Sequence, residues 1–463
     1  MTAEVVVMNK SAIALAADSK VTVGGYRNAK TYDTVNKLFT LSKYHPVGVM
    51  VYGNAEFMDY PWETIIKLYR RQKGRQDEDT ISDWAENFLE FLRAFGSIEE
   101  KHKERNLKQV CRSWFSLILD EADDTAFAED VQIGSDKYKS ILREILQSKI
   151  PQVLEKGPWL QDEKAKAFIE QYGKIVDAVT EENFKGFEDD ELFKSADRLI
   201  SAAILGKVPS PRSSGIVIAG FGREEFFPTV LSLETDGYVG GDIKVYREGY
   251  VDISRELSGC LRAFAQGEMV QRFMSGLDPD LYSVLMTAFH DTLTENCLTI
   301  LNKYGSAKNK TEAVRDAVKK AANASISKLV DDIGQYTTRN FSNPIVNMVS
   351  LLPKDELANL AESLVALTSL KRRVSSDAET VGGAIDVALI SKGDGFVWIK
   401  RKYYFPEDLN PQFNRTYLQE QIDTGEEDEG NKSSGSSKRA PRARQQRPSA
   451  KASGDRSRST DKS

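Results

Sequence analysis

The sequence predicts an α+β fold in which antiparallel β-sheets are covered by helices, with a large helical insertion. Three observations support this prediction. Strand-like apolar runs occur near the start, in the middle and near the end of the chain. Long stretches between them repeat apolar residues at helical spacing. The strand-like runs are joined by short turns, which favours antiparallel pairing over a doubly wound parallel sheet.

The first 53 residues contain two predicted hairpins. Short apolar runs at residues 5–7 and 12–17 are separated by the turn residues Asn9 and Lys10. A second pair of runs, at residues 38–41 and 47–52, is divided around His45 and Pro46. Apolar runs of this length bounded by turn residues are typical of buried strands.

Residues 54–206 are predicted to form an inserted helical subdomain. Their apolar residues recur at i, i+3 and i+4, the spacing that places them on one face of a helix. Two sets show this spacing most clearly: Trp84, Phe88, Leu89, Leu92 and Phe95, and then Tyr138, Ile141, Leu142, Ile145 and Leu146. Two such helices could cover a sheet, and this larger number indicates a subdomain.

Strand character returns at residues 215–220 and 229–233, followed by a mainly helical region at 277–373. A final hairpin is predicted from residues 384–390 and 396–399 around the turn Lys392-Gly393-Asp394-Gly395. Together with the first 53 residues, residues 207–405 are expected to form the main domain.

Residues 422–463 are predicted to be a disordered tail, acidic and then basic, because they are rich in charged and small polar residues. Residues 431–463 hold ten Lys and Arg but only two acidic residues, Asp455 and Asp461, so this segment has a net charge of +8. Because the whole chain has a net charge of −6, the remaining residues carry −14. An acidic body and a basic tail without aromatic residues make nucleic-acid binding an unfavoured interpretation.

The remaining composition favours a cytoplasmic protein. No basic segment precedes an apolar core at the start, and no run approaches the roughly 18 apolar residues of a membrane-spanning helix. The three cysteines are far apart and form no CxxC pair. The three histidines are scattered and no phosphate-loop motif is present, so neither a metal nor a cofactor is expected.

Candidate chemistry lies in the first forty residues. Removal of Met1 would leave Thr2 with a free α-amine, whose reference pKa of about 7.7–8.0 suits a general base for the threonine hydroxyl. Asp18 ends the second apolar run, where an adjacent strand would return it beside Thr2. Lys37 begins the next run, and an ammonium beside a nucleophile, held by a carboxylate, lowers the hydroxyl pKa.

These residues resemble the proteasome β subunits and the related bacterial heat-shock-locus peptidase, which are N-terminal-nucleophile hydrolases. The mature family chain begins with Thr, and an aspartate follows sixteen residues later in an A-x-D-[ST]-[RK]-x-[ST] run, matched at residues 16–22. A V-x-K-hydrophobic segment matches residues 35–38, and a G-V-x-x-x-G segment matches residues 48–53. The resemblance covers roughly residues 2–55, 213–270 and 354–400.

The resemblance implies a four-layer αββα sandwich of two antiparallel sheets. It also implies that Thr2 is the nucleophile, that Lys37 stabilises it, that Asp18 orients Lys37, and that the Gly53 amide receives the oxyanion. A peptide or protein substrate and a homo-oligomer are expected on the same basis, with any ATPase or adaptor partner unknown.

The accessory residues depart from the family pattern. The family's GSGS turn corresponds to Ala265-Gln266-Gly267-Glu268, which lacks a serine, and its D-x-x-S segment corresponds to Asp377 and Thr380. In the family these residues orient the α-amine. Two alternatives to a peptidase therefore stay open: a catalytically inactive scaffold or assembly subunit, and an amidase acting on a non-peptide substrate.

Overall fold

The computed structural model describes residues 2–23, 30–95, 99–304, 312–375, 381–403, 405–406 and 408–412. It confirms the predicted α+β class, with helices and two antiparallel sheets. The described residues up to Lys402 form one compact unit, and those from Tyr403 belong to a second. The predicted tail at 422–463 and the predicted accessory residues Asp377 and Thr380 lie outside the described residues.

The described strands, in chain order, are as follows: β1 (Ala3–Asn9), β2 (Ile13–Ala17), β3 (Val21–Val23), β4 (Lys30–Tyr32), β5 (Leu38–Thr40), β6 (Val47–Gly53), β7 (Glu56–Phe57), β8 (Tyr60–Pro61), β9 (Ser214–Gly220), β10 (Thr229–Val239), β11 (Asp242–Asp252), β12 (Gly259–Ala265), β13 (Asp386–Ser391) and β14 (Gly395–Lys400). Five of them form one sheet in the order β12-β1-β2-β13-β14. Five more form a second sheet in the order β11-β10-β9-β6-β5. Every pairing in these sheets is antiparallel.

The described helices are as follows: α1 (Trp62–Lys73), α2 (Ile81–Ala94), α3 (Glu100–Ala128), α4 (Asp136–Glu155), α5 (Asp162–Phe184), α6 (Asp190–Leu205), α7 (Glu268–Ser275), α8 (Pro279–Tyr304), α9 (Glu312–Thr337), α10 (Asn343–Val349) and α11 (Lys354–Val374). A 3-10 turn at Lys185–Phe187 follows α5, and a π turn at Thr338–Ser342 follows α9. No helix in the described ranges is both long and apolar enough to cross a membrane.

One apolar cluster joins the two large sheets. Val6 and Leu15 from the first sheet pack in the same buried cluster as Met50 and Val217 from the second. Successive side chains of a strand point to opposite faces, so the alternate residues Val5 and Val7 of β1 face away from this cluster. The interior between the sheets is therefore a layer of buried apolar side chains.

Helices cover the outer face of each sheet. Leu357 and Leu364 of α11 pack with Val5 of β1 on one side. On the other side, Trp84 and Phe88 of α2 pack with residues of β6 and β9. Alternation within the strands thus gives each sheet one face for the other sheet and one for helices.

The helices α3–α6 share a separate apolar cluster. Leu107 and Phe115 of α3 pack there with Leu146 of α4 and Leu199 of α6. Asn106 at the start of α3 donates to the carbonyl oxygens of Asp236 (2.8 Å) and of Tyr238 on β10 (2.9 Å). The division into an inserted subdomain at 54–206 and a main domain at 1–53 and 207–405 stays a prediction.

Candidate active site

Asp18 follows directly after β2, and its side chain is fully buried. Its Oδ1 accepts hydrogen bonds from Lys37 Nζ at 2.6 Å and from the main-chain N–H of Ala3 at 3.1 Å. Its Oδ2 accepts from the main-chain N–H groups of Lys20 at 3.2 Å and Gly382 at 3.0 Å. Four donors, one of them charged, fix the orientation of this carboxylate.

Lys37 lies immediately before β5 and is 5% exposed. Its ammonium donates to Asp18 Oδ1 and to the main-chain oxygen of Lys20, both at 2.6 Å. Burial lowers the pKa of Lys37 from its ordinary value, and the charge of Asp18 opposes that change. A lysine in this environment gives up its proton more readily than a surface lysine while its position stays fixed.

Thr2 is 4% exposed and immediately precedes β1. Its carbonyl oxygen accepts a 3.0 Å hydrogen bond from the main-chain N–H of Gln266. The next N–H, that of Ala3, donates to the same Asp18 oxygen that binds Lys37. One carboxylate oxygen therefore joins the main chain beside Thr2 to the buried ammonium.

Gly53 ends β6 and pairs in register with Ser214 of β9. A cavity of about 250 Å³ is lined by Thr2, Lys37 and Gly53 together. Asp18 is joined to this site through its 2.6 Å hydrogen bond from Lys37. The other lining residues include seven with apolar side chains or rings: Val21, Val35, Val51, Tyr52, Ala55, Pro61 and Trp62. The structure thus brings the four residues singled out in the sequence to one place.

The start of α1 forms one wall of this cavity, a feature that the sequence analysis missed. Trp62 is buried, and its Nε1 donates to Ser214 Oγ at 3.0 Å. The same hydroxyl donates to the main-chain oxygen of Asn54 at 3.0 Å. Helical periodicity could not indicate this contact, because the partner of Trp62 is 152 positions away.

Gly53 occupies a backbone conformation that requires glycine. Its φ is +78°, and a Cβ at this position would lie 2.4 Å from the main-chain oxygen of Ser213. We expect Gly53→Ala to cost at least about 1–3 kcal/mol of unfolding free energy, measured by urea denaturation, because the left-handed conformation alone has that cost. Gly241→Ala is the control, since a Cβ there would meet no atom within 4 Å. Equal stabilities of the two variants would contradict this assignment.

Glu4 is a buried carboxyl that the sequence analysis also missed. It has no exposed surface, and neither carboxyl oxygen has a hydrogen-bond partner among the described residues. Burial raises the pKa of Glu4 well above its ordinary value; Lys37 opposes this rise and Asp18 adds to it. A single acidic residue in the apolar run 3–7 is typical of an exposed position of a strand, so the sequence did not indicate that Glu4 is buried.

The raised pKa of Glu4 predicts how stability changes with pH. Above about pH 4.5, the unfolded chain loses this proton while the folded protein keeps it, so its contribution to stability falls as pH rises towards the folded pKa. We expect the unfolding free energy of the wild type, relative to Glu4→Gln, to fall as pH rises above about 4.5, with a slope of at most about 1.4 kcal/mol per pH unit. Urea unfolding at each pH measures this difference. A difference independent of pH would show that Glu4 is ionised in the folded protein.

The accessory segment differs from a serine-containing turn. Ala265 ends β12 in a left-handed conformation (φ 61°), opposite Ala3 of β1. Gln266 is buried, and Glu268 opens α7 with an ion pair to Arg372 of α11 at 2.5 Å. This segment contacts Thr2 through the main-chain N–H of Gln266, and no serine occurs in residues 265–268.

Comparisons with known proteins find few relatives. No family model matches the sequence, and no curated protein matches it. Among the solved structures that match is the Anbu (Gly-1) mutant from Hyphomicrobium sp. strain MC1, which aligns over 92% of this chain and 97% of that chain. The identity is 9% and the TM-score 0.23. A likeness this weak carries no argument about the fold or the chemistry.

Proposed function

We propose that this protein is a proteasome-like hydrolase whose nucleophile is Thr2, acting as the first residue of the mature chain. One observation carries the proposal: Asp18 Oδ1 binds both Lys37 Nζ and the main-chain N–H that follows Thr2. A buried lysine held by a carboxylate beside a threonine, at the wall of a cavity, is suited to lowering the hydroxyl pKa.

In the proposed reaction, the Thr2 hydroxyl oxygen attacks an amide carbonyl carbon and its proton passes to the α-amine of Thr2. The charge of Lys37 stabilises the developing alkoxide, and the Gly53 N–H donates to the carbonyl oxygen as it becomes negative. Collapse breaks the C–N bond, the leaving amine takes the proton, and an ester to Thr2 remains. Water then attacks the ester carbonyl carbon, the C–O bond to Thr2 breaks, the acyl group leaves as a carboxylic acid, and the proton from water restores the Thr2 hydroxyl.

The arrangement of sheets and helices supports a more specific proposal for the fold. The cluster between the sheets contains Val6 and Met50, one from each sheet. Helices α11 and α2 pack on the two remaining faces. This order of layers is that of an αββα sandwich, which we propose as the architecture of the N-terminal-nucleophile domain.

The cavity suggests the kind of substrate. Its volume of about 250 Å³ lies below the roughly 300–1,000 Å³ of pockets that enclose a drug-sized molecule. Its apolar walls, among them Val51 and Trp62, suit one apolar side chain beside the scissile amide. We therefore propose a peptide or protein substrate, and the family resemblance favours a homo-oligomer.

A second candidate function is an inactive assembly subunit with the same fold. It is favoured by the segment around Gln266, because no serine in residues 265–268 could orient the α-amine of Thr2. The paired state of Lys37 and Asp18 opposes it, since a scaffold has no need for a buried ion pair that costs desolvation.

The free α-amine provides the test. Two forms of the protein are prepared by proteolytic release from a fusion, one starting at Thr2 and one with a single extra glycine before Thr2. Only the form starting at Thr2 is expected to hydrolyse a mixed peptide library, followed by mass spectrometry of the products, because the extra residue converts the base into an amide. Equal hydrolysis by both forms would exclude the α-amine as base, and no hydrolysis by either would favour the assembly subunit.

A further inference from the structure

Glu4 occupies an unusual place for an acidic side chain. It lies on β1, two residues before Val6, and so on the face that packs between the two sheets. Its register partners are Ala17 on β2 and Phe264 on β12, both members of the apolar cluster between the sheets. The carboxyl is therefore buried in the apolar layer between the sheets, two residues from Thr2.

Two charged groups act directly on Glu4: the ammonium of Lys37 and the carboxylate of Asp18. Lys37 in turn is affected by Asp18, Glu4 and Lys402, and Lys402 is paired with Asp386 of β13. Glu4, Asp18 and Lys37 are thus three buried ionisable side chains whose charges act on one another.

Other charged groups lie on the neighbouring strands and in the loops beside Asp18. Arg262 of β12 lies over the Phe264 ring at 5.7 Å. On the second sheet, Tyr52 donates to Glu234 at 3.3 Å. Lys20, beside Asp18, lies 3.7 Å from Asp33. The α-amine of Thr2 would join them in a chain that starts at Thr2.

A carboxyl without a hydrogen-bond partner is costly in this position. An apolar residue of similar size would remove the unsatisfied oxygens of Glu4 and fit the surrounding cluster. Local rules of this kind are broken chiefly where function requires it. Glu4 follows Ala3, whose N–H donates to the Asp18 oxygen that binds Lys37, so its place points to a function in this ion pair.

We propose that Glu4 is a positioning residue that acts through Lys37, holding the ammonium in its charged state beside Asp18 and Thr2 when the pH becomes alkaline. This inference rests on the proposed function for its catalytic consequence. The place of Glu4 beside the ion pair stands on the structure alone: its register partner Ala17 precedes Asp18, and the apolar cluster on this face contains Leu38, which follows Lys37.

The coupling between Glu4 and Lys37 depends on which of the two groups loses a proton first as the pH rises. With Glu4 protonated, Asp18 and Lys37 carry balancing charges. When the cluster loses one proton, Glu4 can release it, and the resulting carboxylate stabilises the charge of Lys37. With glutamine at this position only Lys37 can release the proton, so Lys37 would become neutral at lower pH. The influence of Glu4 indeed raises the pKa of Lys37.

The test follows the titration of Lys37 itself. Protein labelled with 13C at the lysine Cε is titrated by NMR, and the Lys37 signal is assigned as the one missing from Lys37→Arg. We expect the midpoint of Lys37 to fall by at least about one pH unit in Glu4→Gln. Glu4→Met should show the same fall, and Glu4→Asp, which keeps a carboxyl, should reverse most of it. An unchanged midpoint in Glu4→Gln and Glu4→Met would overturn the inference.

A second measurement separates this inference from the proposed function. The rate at which a peptide epoxyketone adds to Thr2 is measured against pH, and its alkaline limb should move to lower pH in Glu4→Gln by the same amount as the Lys37 midpoint. If the wild type forms no adduct at any pH, the proposed function fails, while a lowered Lys37 midpoint would still support the coupling. An adduct whose alkaline limb is the same in both proteins would overturn the positioning role of Glu4.

Discussion

Lys37→Met is expected to destabilise the protein by about 3–5 kcal/mol, because it leaves a buried carboxylate without its cation. Asp18 is fully buried and would retain only its three main-chain donors. Urea unfolding measures the loss of stability. Arg112→Met is the matched control, since its partner Glu182 is on the surface at 2.9 Å and such pairs contribute about 0–1 kcal/mol.

The double variant Asp18→Asn/Lys37→Met separates stability from chemistry. It removes both buried charges, so we expect it to recover part of the stability lost in Lys37→Met. The rate of peptide hydrolysis should nevertheless stay at least about 100-fold below that of the wild type, the typical contribution of acid–base assistance. A Lys37→Met protein as stable as the wild type would show that the ion pair is not formed.

Thr2→Ala is expected to reduce peptide hydrolysis by at least about 1,000-fold, because it removes the only atom that could form the ester in the proposed reaction. Its stability should change little, since the main-chain bonds of Thr2 to Gln266 and of Ala3 to Asp18 remain. Hydrolysis of a fluorogenic peptide and thermal unfolding measure the two effects.

Thr2→Ser is the control for Thr2→Ala. It keeps the hydroxyl and loses only a methyl group, so we expect it to retain hydrolysis within about tenfold of the wild type. A Thr2→Ala protein that hydrolyses the peptide as fast as Thr2→Ser would place the nucleophile elsewhere.

The hairpins at the start of the chain could be predicted from the sequence because both of their strands are buried. Strands β2 and β6 are continuous apolar runs bounded by turns. Strands β11 and β12 were not predicted, and both lie at the edges of their sheets. Polar residues such as Lys244 and Arg262 interrupt their apolar pattern, whereas β5 and β14, at the opposite edges, keep short apolar runs and were predicted.

The residues of the candidate site likewise fall into those that the sequence indicated and those that it did not. The spacing of Thr2, Asp18 and Lys37 is local, and the structure brings these residues together. Gly382 and Trp62 reach the site through contacts across long stretches of chain, which periodicity does not indicate. Glu4 was missed for a different reason: the pleat, and not the residue type, decides that its side chain faces the interior.

The intact mass of the protein after exposure to a peptide epoxyketone tests the central claim most directly, because this reagent requires a hydroxyl and a free α-amine on the same residue. The account predicts a chain that starts at Thr2 and carries one adduct. The adduct should be absent from Thr2→Ala and strongly reduced in Lys37→Met. The assignment of Thr2 as the nucleophile would be contradicted if the wild type starts at Thr2 and hydrolyses peptides but the Thr2→Ala variant forms the adduct equally well.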